Sequence, residues 1–328
     1  MAINTLNNNI NKNNNCFIYL PVSIFAIVMG LVGLSLAWHK AYEILAVPAL
    51  IGEILRAFAS LLFIFLFIMY ALKIISHPQA VRDELAHPIR INFFATISVS
   101  ILLLATAWLP DIPRTALILW GIGSILHLII SLRIMSNWMF QPHYELKHVN
   151  PAWFIPIVGN IIVPIVGVKV MQIELSWFFF SIGIVFWLIL LTIILNRIFF
   201  YEPLPSRLIP TLFILLAPPS VGVIAWLGLV GKFDAFAHIL YYTALFFALL
   251  LISNAPRFLH IPFYISAWAY SFPLAAFTIS TLQIAKISGL LVLTWLGYSF
   301  LFLVSMVIIV LVVRTLFAVW NKEICLPE

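Results

Sequence analysis

The chain has 328 residues, 64% of them apolar and 9% charged, and its mean hydropathy is +1.14. About a quarter of the residues in a soluble globular domain are charged, so this composition excludes that class. Long apolar runs between short charged links instead predict an integral membrane protein with several helices in the lipid bilayer. The net charge of +6 is typical of loops at an anionic membrane face, so no nucleic-acid partner is expected.

The apolar runs divide the chain into candidate spans. Residues 1–16 are asparagine-rich and have too little apolar surface to order themselves, which predicts a disordered cytoplasmic tail. Residues 17–320 are predicted to form one transmembrane domain, and residues 321–328 a short cytoplasmic C-terminus. No small-residue cleavage site follows the first run, so it is interpreted as a span. The ten predicted spans, numbered 1 to 10 in chain order, are 18–38, 57–72, 91–110, 115–132, 151–168, 175–196, 208–231, 235–256, 261–285 and 287–313.

The orientation follows from where lysine and arginine fall. With ten spans, eleven of the seventeen basic residues lie on the side of the chain ends and six on the opposite side. By the positive-inside rule both termini are predicted to be cytoplasmic, in a multi-pass protein of the cell (inner) membrane. The chain then consists of five helical hairpins in series.

Proline and small residues separate the spans into two kinds. No even-numbered span has a proline in its interior, whereas odd-numbered spans do, and small residues recur there at steps of three and four. Such stripes let neighbouring helices approach closely, which is one interpretation. In the other, the odd spans turn their small faces to a common axis and leave a conduit. Their agreement favours the second, and predicts five inner odd helices around a pore with five even helices outside.

Specific positions follow from this architecture. Pro218, Pro219 and Pro273 are predicted to kink spans 7 and 9, because proline removes a backbone donor from the helix. Serine and threonine hydroxyls on the odd spans would suit an ion that sheds part of its water in the pore. The more common alternative is that each hydroxyl bonds a carbonyl of its own helix. The predicted pore-lining residues are Ala26, Met29, Gly30, Phe94, Ser98, Gly159, Ser220, Gly222 and Ala276.

Few features favour other chemistry. As drawn, the spans have no Asp, Glu, Lys or Arg in their interiors, which argues against a proton-coupled pump. The link 77–90 holds His77, Asp83, Glu84 and His87, but at spacings typical of a solvated charged loop. No motif of a known enzyme class and no metal-ligand spacing is present, so no metal, cofactor or enzymatic activity is predicted.

Several segments carry a resemblance to a known family. Residues 17–38 read FIYLPVSIFAIVMGLVGLSLAW, residues 150–153 read NPAW, residues 210–222 read PTLFILLAPPSVG, and residues 266–280 read SAWAYSFPLAAFTIS. Together with His87-Pro88 and Asn92-Phe93-Phe94, these segments resemble the tellurite-resistance and dicarboxylate transporter family, which includes bacterial tellurite-resistance proteins and plant slow anion channels. They extend over nearly the whole chain, apart from the asparagine-rich tail.

The resemblance implies an architecture and a gate. It implies ten helices in a quasi-fivefold ring, a homotrimer with a separate pore in each subunit, and a phenylalanine of span 9 that plugs the pore. On the WAYSF segment of this chain the plug is Phe272, although an ordinary buried aromatic is the default for a phenylalanine. The substrates implied are small inorganic or organic anions: tellurite, halide, nitrate, malate or sulfite.

The sequence is compatible with two functions, a channel and a carrier. The leading hypothesis is a passive, gated anion channel or uniporter. The alternative is a secondary carrier that exports tellurite or C4-dicarboxylates, with or without coupling to protons. A dicarboxylate carrier is expected to place Arg or Lys against the substrate carboxylates, and no predicted odd span contains either in its interior.

Overall fold

A computed structural model describes residues 16–45, 47–142, 144–321 and 323, and these residues form helices and links with no strand among them. The predicted tail therefore lies almost entirely outside the described residues, as does most of the predicted C-terminus. In the described part, nine helices are long and apolar enough to cross a membrane, and a further apolar segment is shorter. In chain order, spans 1 to 10 are Val22–Leu45, Leu50–Ser76, Arg90–Trp108, Pro113–Phe140, the shorter Pro151–Gly167, Ile173–Phe200, Ile209–Val230, Ala235–Ser253, Ile265–Ser288 and Leu291–Trp320. The prediction of an all-α integral membrane protein is confirmed.

The odd spans change helix type near their starts. Span 1 runs as a 3₁₀ helix over Val22–Phe25 before its α-helix, and span 7 does so over Ile209–Leu216. Pro218 and Pro219 then occupy the first α-helical turn of span 7. Proline is tolerated there because the first N–H groups of an α-helix have no partner in the helix. These two prolines therefore stand at a change of helix type, while the size of the predicted kink stays a prediction.

Span 5 is the most interrupted of the ten. It consists of 3₁₀ segments Pro151–Trp153 and Gly159–Ile162 and α-helical segments Phe154–Val158 and Val163–Gly167. A 3₁₀ helix rises about 2.0 Å per residue and an α-helix about 1.5 Å, so the whole segment is about 29 Å long. That length is close to the thickness of the hydrocarbon core, although the segment has fewer residues than an ordinary span.

Odd and even spans differ in how much of them is buried in the protein. In spans 1, 3, 7 and 9, between 67% and 78% of the most apolar window is buried, compared with 22% to 39% in the even spans. The even spans expose large side chains such as Leu61, Ile125 and Phe302. Exposed apolar surface of this extent is stable only against lipid or another protein. The even spans are thus the outer surface of the fold.

The charged residues of span 2 correct two expectations. Because the helix begins at Leu50 and ends at Ser76, Lys73 lies inside it, buried with 1% of its surface exposed. Arg56 is also buried, donates to the carbonyl of Ala107 at 2.9 Å and pairs with Asp111. The interior of span 2 is therefore not free of charge. The following link forms the short helix Pro78–Ala86, in which Glu84 is buried, so the expectation of a solvated loop is wrong for that residue.

Candidate functional site

A narrow cavity lies between the odd spans. Its volume is about 70 Å³, and each of its lining residues belongs to span 1, 3, 5, 7 or 9. The lining consists of Ser23, Ala26, Met29, Phe93, Thr96, Val99, Phe154, Ile155, Val158, Gly159, Ile162, Ile214, Ala217, Pro218, Val221, Ile265, Ser266, Trp268, Ala269, Phe272 and Pro273. The wall is mostly apolar, and none of the described residues that line it is Asp, Glu, Lys, Arg or His. We call this space the pore cavity.

The lining residues of spans 1 and 3 lie where a 3₁₀ helix passes into an α-helix. Span 1 contributes Ser23, Ala26 and Met29, and span 3 contributes Phe93, Thr96 and Val99. Of these, Ser23 and Phe93 lie in the 3₁₀ segments and the others in the α-helices that follow. A turn has three residues in a 3₁₀ helix and about 3.6 in an α-helix, so one regular spacing does not describe the lining face. In span 3 the predicted pore residues are Phe94 and Ser98, whereas Phe93 and Thr96 line the cavity.

Phe272 lies in the wall of the pore cavity. It is half-buried and packs beside span 1, where a Cβ added to Gly33 would lie 3.2 Å from Cδ2 of the Phe272 ring. Gly33 therefore leaves the room that the ring occupies. The next residue, Pro273, has no N–H for the carbonyl of Ala269, which also lines the cavity. The ring is thus attached where the backbone lacks one hydrogen bond of a regular helix.

Six of the residues singled out from the sequence meet in this cavity. They are Ala26, Met29, Gly159, Pro218, Phe272 and Pro273. At Gly159, an added Cβ would lie 2.6 Å from Nε2 of the buried His127, so the glycine lets span 4 pack directly behind the wall. Phe93, Phe154 and Trp268 line the cavity too and were not selected, because bulky aromatics do not stand out among the many of an apolar span.

The remaining predicted pore residues occupy other places in the described structure. Ser98 lies 2.8 Å from Nδ1 of His127, and Ser220 donates to the carbonyl of Leu216 at 2.7 Å. Gly222 faces Leu240 of span 8, and the ring of Phe94 is 6.2 Å from that of Tyr70. Gly30 lies so close to Ser271 that an added Cβ would overlap its side chain, while Pro219 and Ala276 are buried outside the cavity wall. Ser98, Gly222, Phe94 and Gly30 thus contact neighbouring spans, whereas the Ser220 hydroxyl bonds its own helix.

A larger space opens at the end of the bundle where the odd spans begin. Its volume is about 560 Å³, and we call it the vestibule. It is lined by Pro21, Val22, Ser23, Glu84, His87, Ile89, Arg90, Phe93, Pro205, Arg207, Leu208, Phe263, Tyr264, Ile265, Ser266, Ala318 and Glu323. Ser23, Phe93, Ile265 and Ser266 line both spaces, so the vestibule and the pore cavity adjoin.

Glu84 in the vestibule wall is part of a buried charged cluster. Its Oε1 lies 3.1 Å from Nζ of Lys73, and its Oε2 accepts a hydrogen bond of 2.6 Å from the Tyr70 hydroxyl. Lys73 also donates to the carbonyl of Leu20 at 2.7 Å, directly before span 1. The cluster therefore joins span 2, the short helix Pro78–Ala86 and the start of span 1. Because its negative charge is paired, Glu84 does little to make the vestibule negative.

His87 is held neutral at the vestibule. Its Nδ1 accepts hydrogen bonds from the backbone N–H groups of Ile89 and Arg90, at 3.1 and 3.3 Å. These bonds leave the ring proton on Nε2. Burial, with the positive charge of Arg90 and the neighbouring His148, lowers the pKa of His87 below its usual value. Among the described residues of the wall, the fixed positive charges are consequently those of Arg90 and Arg207.

Known proteins are similar to this chain over nearly its whole length. The profile of the voltage-dependent anion channel family matches residues 19–316. The S-type anion channel SLAH3 of Arabidopsis thaliana is 31% identical over 277 residues, which is 81% of this chain and 43% of that protein. The Tellurite resistance protein TehA homolog of Haemophilus influenzae is 31% identical over 265 residues, 78% of this chain and 79% of the relative.

A third relative is similar over almost its full length. A protein of Methanocaldococcus jannaschii described as the uncharacterized transporter MJ0762 is 29% identical over 327 residues, covering 92% of this chain and 95% of its own length. The chain thus spans less than half of the plant SLAH3 and most of the two prokaryotic relatives. The predicted family is confirmed. This integral membrane protein belongs to the voltage-dependent anion channel family, which contains plant S-type anion channels and tellurite-resistance homologues.

Proposed function

We propose that the protein is a gated anion channel or uniporter whose pore runs between the five odd spans. The observation that carries the proposal is the pore cavity, which all five odd spans line and which adjoins a vestibule with basic residues. The half-buried ring of Phe272 in the cavity wall is its gate. A cavity of about 70 Å³ with mostly apolar walls does not conduct a hydrated ion, so the described conformation is closed.

The arrangement of the helices is part of this proposal. Ten spans form a quasi-fivefold ring, with the odd spans inside and the even spans against lipid or a neighbouring subunit. Two observations support it: the odd spans are the more buried ones, and the length of span 5 is close to the thickness of the hydrocarbon core. The protein assembles as a homotrimer with one pore in each subunit, in the cell (inner) membrane.

The walls favour conduction over coupled transport of a dicarboxylate. A carrier for such a substrate needs a cation against each carboxylate, and the described wall of the pore cavity has neither Lys nor Arg. The positive charges lie at the vestibule instead, where they raise the local concentration of anions. Inside the cavity an anion loses water against apolar groups, so selectivity among anions follows the cost of dehydration.

Planar-bilayer recording of the purified protein tests this function. We expect currents whose reversal potential follows the anion gradient and does not move when a pH gradient is imposed. Chloride, nitrate, tellurite and malate make a suitable panel, because their charge and dehydration cost differ. Uptake driven by a pH gradient, without a reversal that follows the anion, would instead identify the secondary carrier.

The proposed orientation is tested by cysteine labelling. In a chain with Cys16 and Cys325 replaced by serine, Ile112→Cys is expected to react with an impermeant maleimide from outside the cell. Gln141→Cys, at the other end of span 4, is expected to react only after the membrane is opened. Both positions are exposed, so access to the reagent depends on the side of the membrane. Labelling of both from outside intact cells would contradict cytoplasmic termini.

A further inference from the structure

Arg90 stands at the first turn of span 3 without an ion-pair partner among the described residues. It is half-buried in the vestibule wall, and its Nε atom is buried without a hydrogen-bond acceptor. Among the residues that the structure describes, no carboxylate forms an ion pair with its guanidinium. Removing a charge from water is costly unless a partner compensates it. The position of Arg90 therefore points to a partner that arrives through the vestibule, and its charge requires an anion.

The hydroxyl of Ser23 faces the same region. Ser23 lines both the vestibule and the pore cavity, and it lies in the 3₁₀ segment Val22–Phe25. That segment packs against the 3₁₀ segment Arg90–Phe94, which carries the arginine. Within the described residues the Ser23 hydroxyl has no hydrogen-bond partner, whereas Ser266, also on the boundary, donates to the carbonyl of Arg207 at 2.5 Å. Ser23 thus keeps its donor for a group in the cavity.

The carboxylates of the vestibule have other partners. Glu84 is paired with Lys73 at 3.1 Å and accepts from Tyr70 at 2.6 Å. Glu323 is exposed beyond the end of span 10, accepts a hydrogen bond of 3.3 Å from the side-chain amide of Asn321, and forms no ion pair with Arg90. The charge that would complement Arg90 is therefore not supplied by either vestibule carboxylate.

We propose that Arg90 and Ser23 form an anion-binding site where the vestibule meets the pore cavity. The site takes a small inorganic anion and prefers an oxyanion such as nitrate to a halide, because the planar guanidinium pairs with two oxygens at once. The vestibule, at about 560 Å³, admits the anion with its water, whereas the pore cavity, at about 70 Å³, does not. Its role in transport rests on the proposed function, since the anion would exchange water for protein donors here.

Chloride binding to the purified protein can be measured without transport and therefore tests this site directly. The ³⁵Cl NMR line of the detergent-purified protein is expected to be broad and to narrow when nitrate is added, because nitrate displaces bound chloride. Arg90→Gln is expected to weaken chloride binding by about tenfold or more, as the loss of a hydrogen-bonded charge does. Arg82→Gln is the matched control. Arg82 is exposed on the nearby helix Pro78–Ala86, outside the vestibule wall, and its substitution removes the same charge.

Two further variants separate local binding from general charge. Arg90→Lys keeps the charge and loses the planar fork, so chloride binding should persist while nitrate displaces it less effectively. Ser23→Ala removes only a hydroxyl and should weaken binding several-fold, so the site can still be tested if Arg90→Gln does not fold.

Three results would each overturn the site: a wild-type line width in both Arg90→Gln and Ser23→Ala, equal losses of binding in Arg90→Gln and Arg82→Gln, or no line broadening with the wild-type protein. Absent anion currents with intact, Arg90-dependent binding would refute the proposed function alone.

Discussion

Replacing Phe272 by alanine is expected to produce anion currents without any stimulus, at least about tenfold above those of the wild type, since even ~1.4 kcal/mol off a barrier is tenfold in rate. The ring occupies the cavity wall beside Gly33, and truncation removes it while Pro273 and the helix around it stay in place. Water and ions can then enter a space that the aromatic ring keeps closed. Conductance of the reconstituted variant, compared with wild type at equal protein density, measures the effect.

Phe277→Ala is the matched control in the same helix. Phe277 is fully buried, and its ring packs 4.7 Å from that of Phe300, away from the cavity wall. Its truncation is expected to cost about 3 to 5 kcal/mol of stability and to open nothing. Phe272→Leu, which keeps an apolar side chain of intermediate size, should conduct less than Phe272→Ala. If Phe272→Ala folds as the wild-type oligomer and conducts no more than the wild type, the ring is not the gate.

The sequence predicted the kind of fold well because membrane burial leaves a strong pattern. Apolar runs of span length and basic links located the helices, and proline with small residues separated odd from even spans before any packing was known. Span 5 was located by its position between Pro151 and Val168, although the described segment ends at Gly167 and is shorter than an ordinary span. Its 3₁₀ segments rise further per residue and so make up for the smaller number of residues. The helix type cannot be read from the composition.

The site was predicted in part, for reasons that are also physical. Glycine and alanine at regular steps serve close helix packing as well as a conduit, and Gly30 and Gly222 have the packing role in the described structure. In span 3, Phe93 and Thr96 line the cavity in place of Phe94 and Ser98, because the helix changes from 3₁₀ to α at Ala95 and no single spacing describes its faces. Arg90 was counted only as one cytoplasmic charge, since a sequence does not disclose which of many basic residues faces a cavity.

The buried pair of Lys73 and Glu84 is expected to dominate stability at the vestibule. Lys73→Met leaves the Glu84 carboxylate buried with only the Tyr70 hydroxyl as donor, and Glu84→Gln leaves the buried Lys73 ammonium without its negative partner. Breaking one partner of a buried pair strands the other charge, so each single variant should lose about 3 to 5 kcal/mol. Unfolding by SDS titration in mixed micelles gives the free energies of the variants.

The double variant and an exposed pair make this prediction specific. Lys73→Met with Glu84→Gln buries no charge and keeps an acceptor for the Tyr70 hydroxyl, so it should recover most of the loss. Lys40→Met, which breaks the exposed pair with Glu43, should cost about 1 kcal/mol or less. Because Lys73 also contacts the carbonyl before span 1, the single variants should loosen the vestibule end of that span. Proteolysis between residues 15 and 22 would report the loosening, and single variants no weaker than Lys40→Met would show that the cluster does not join these elements.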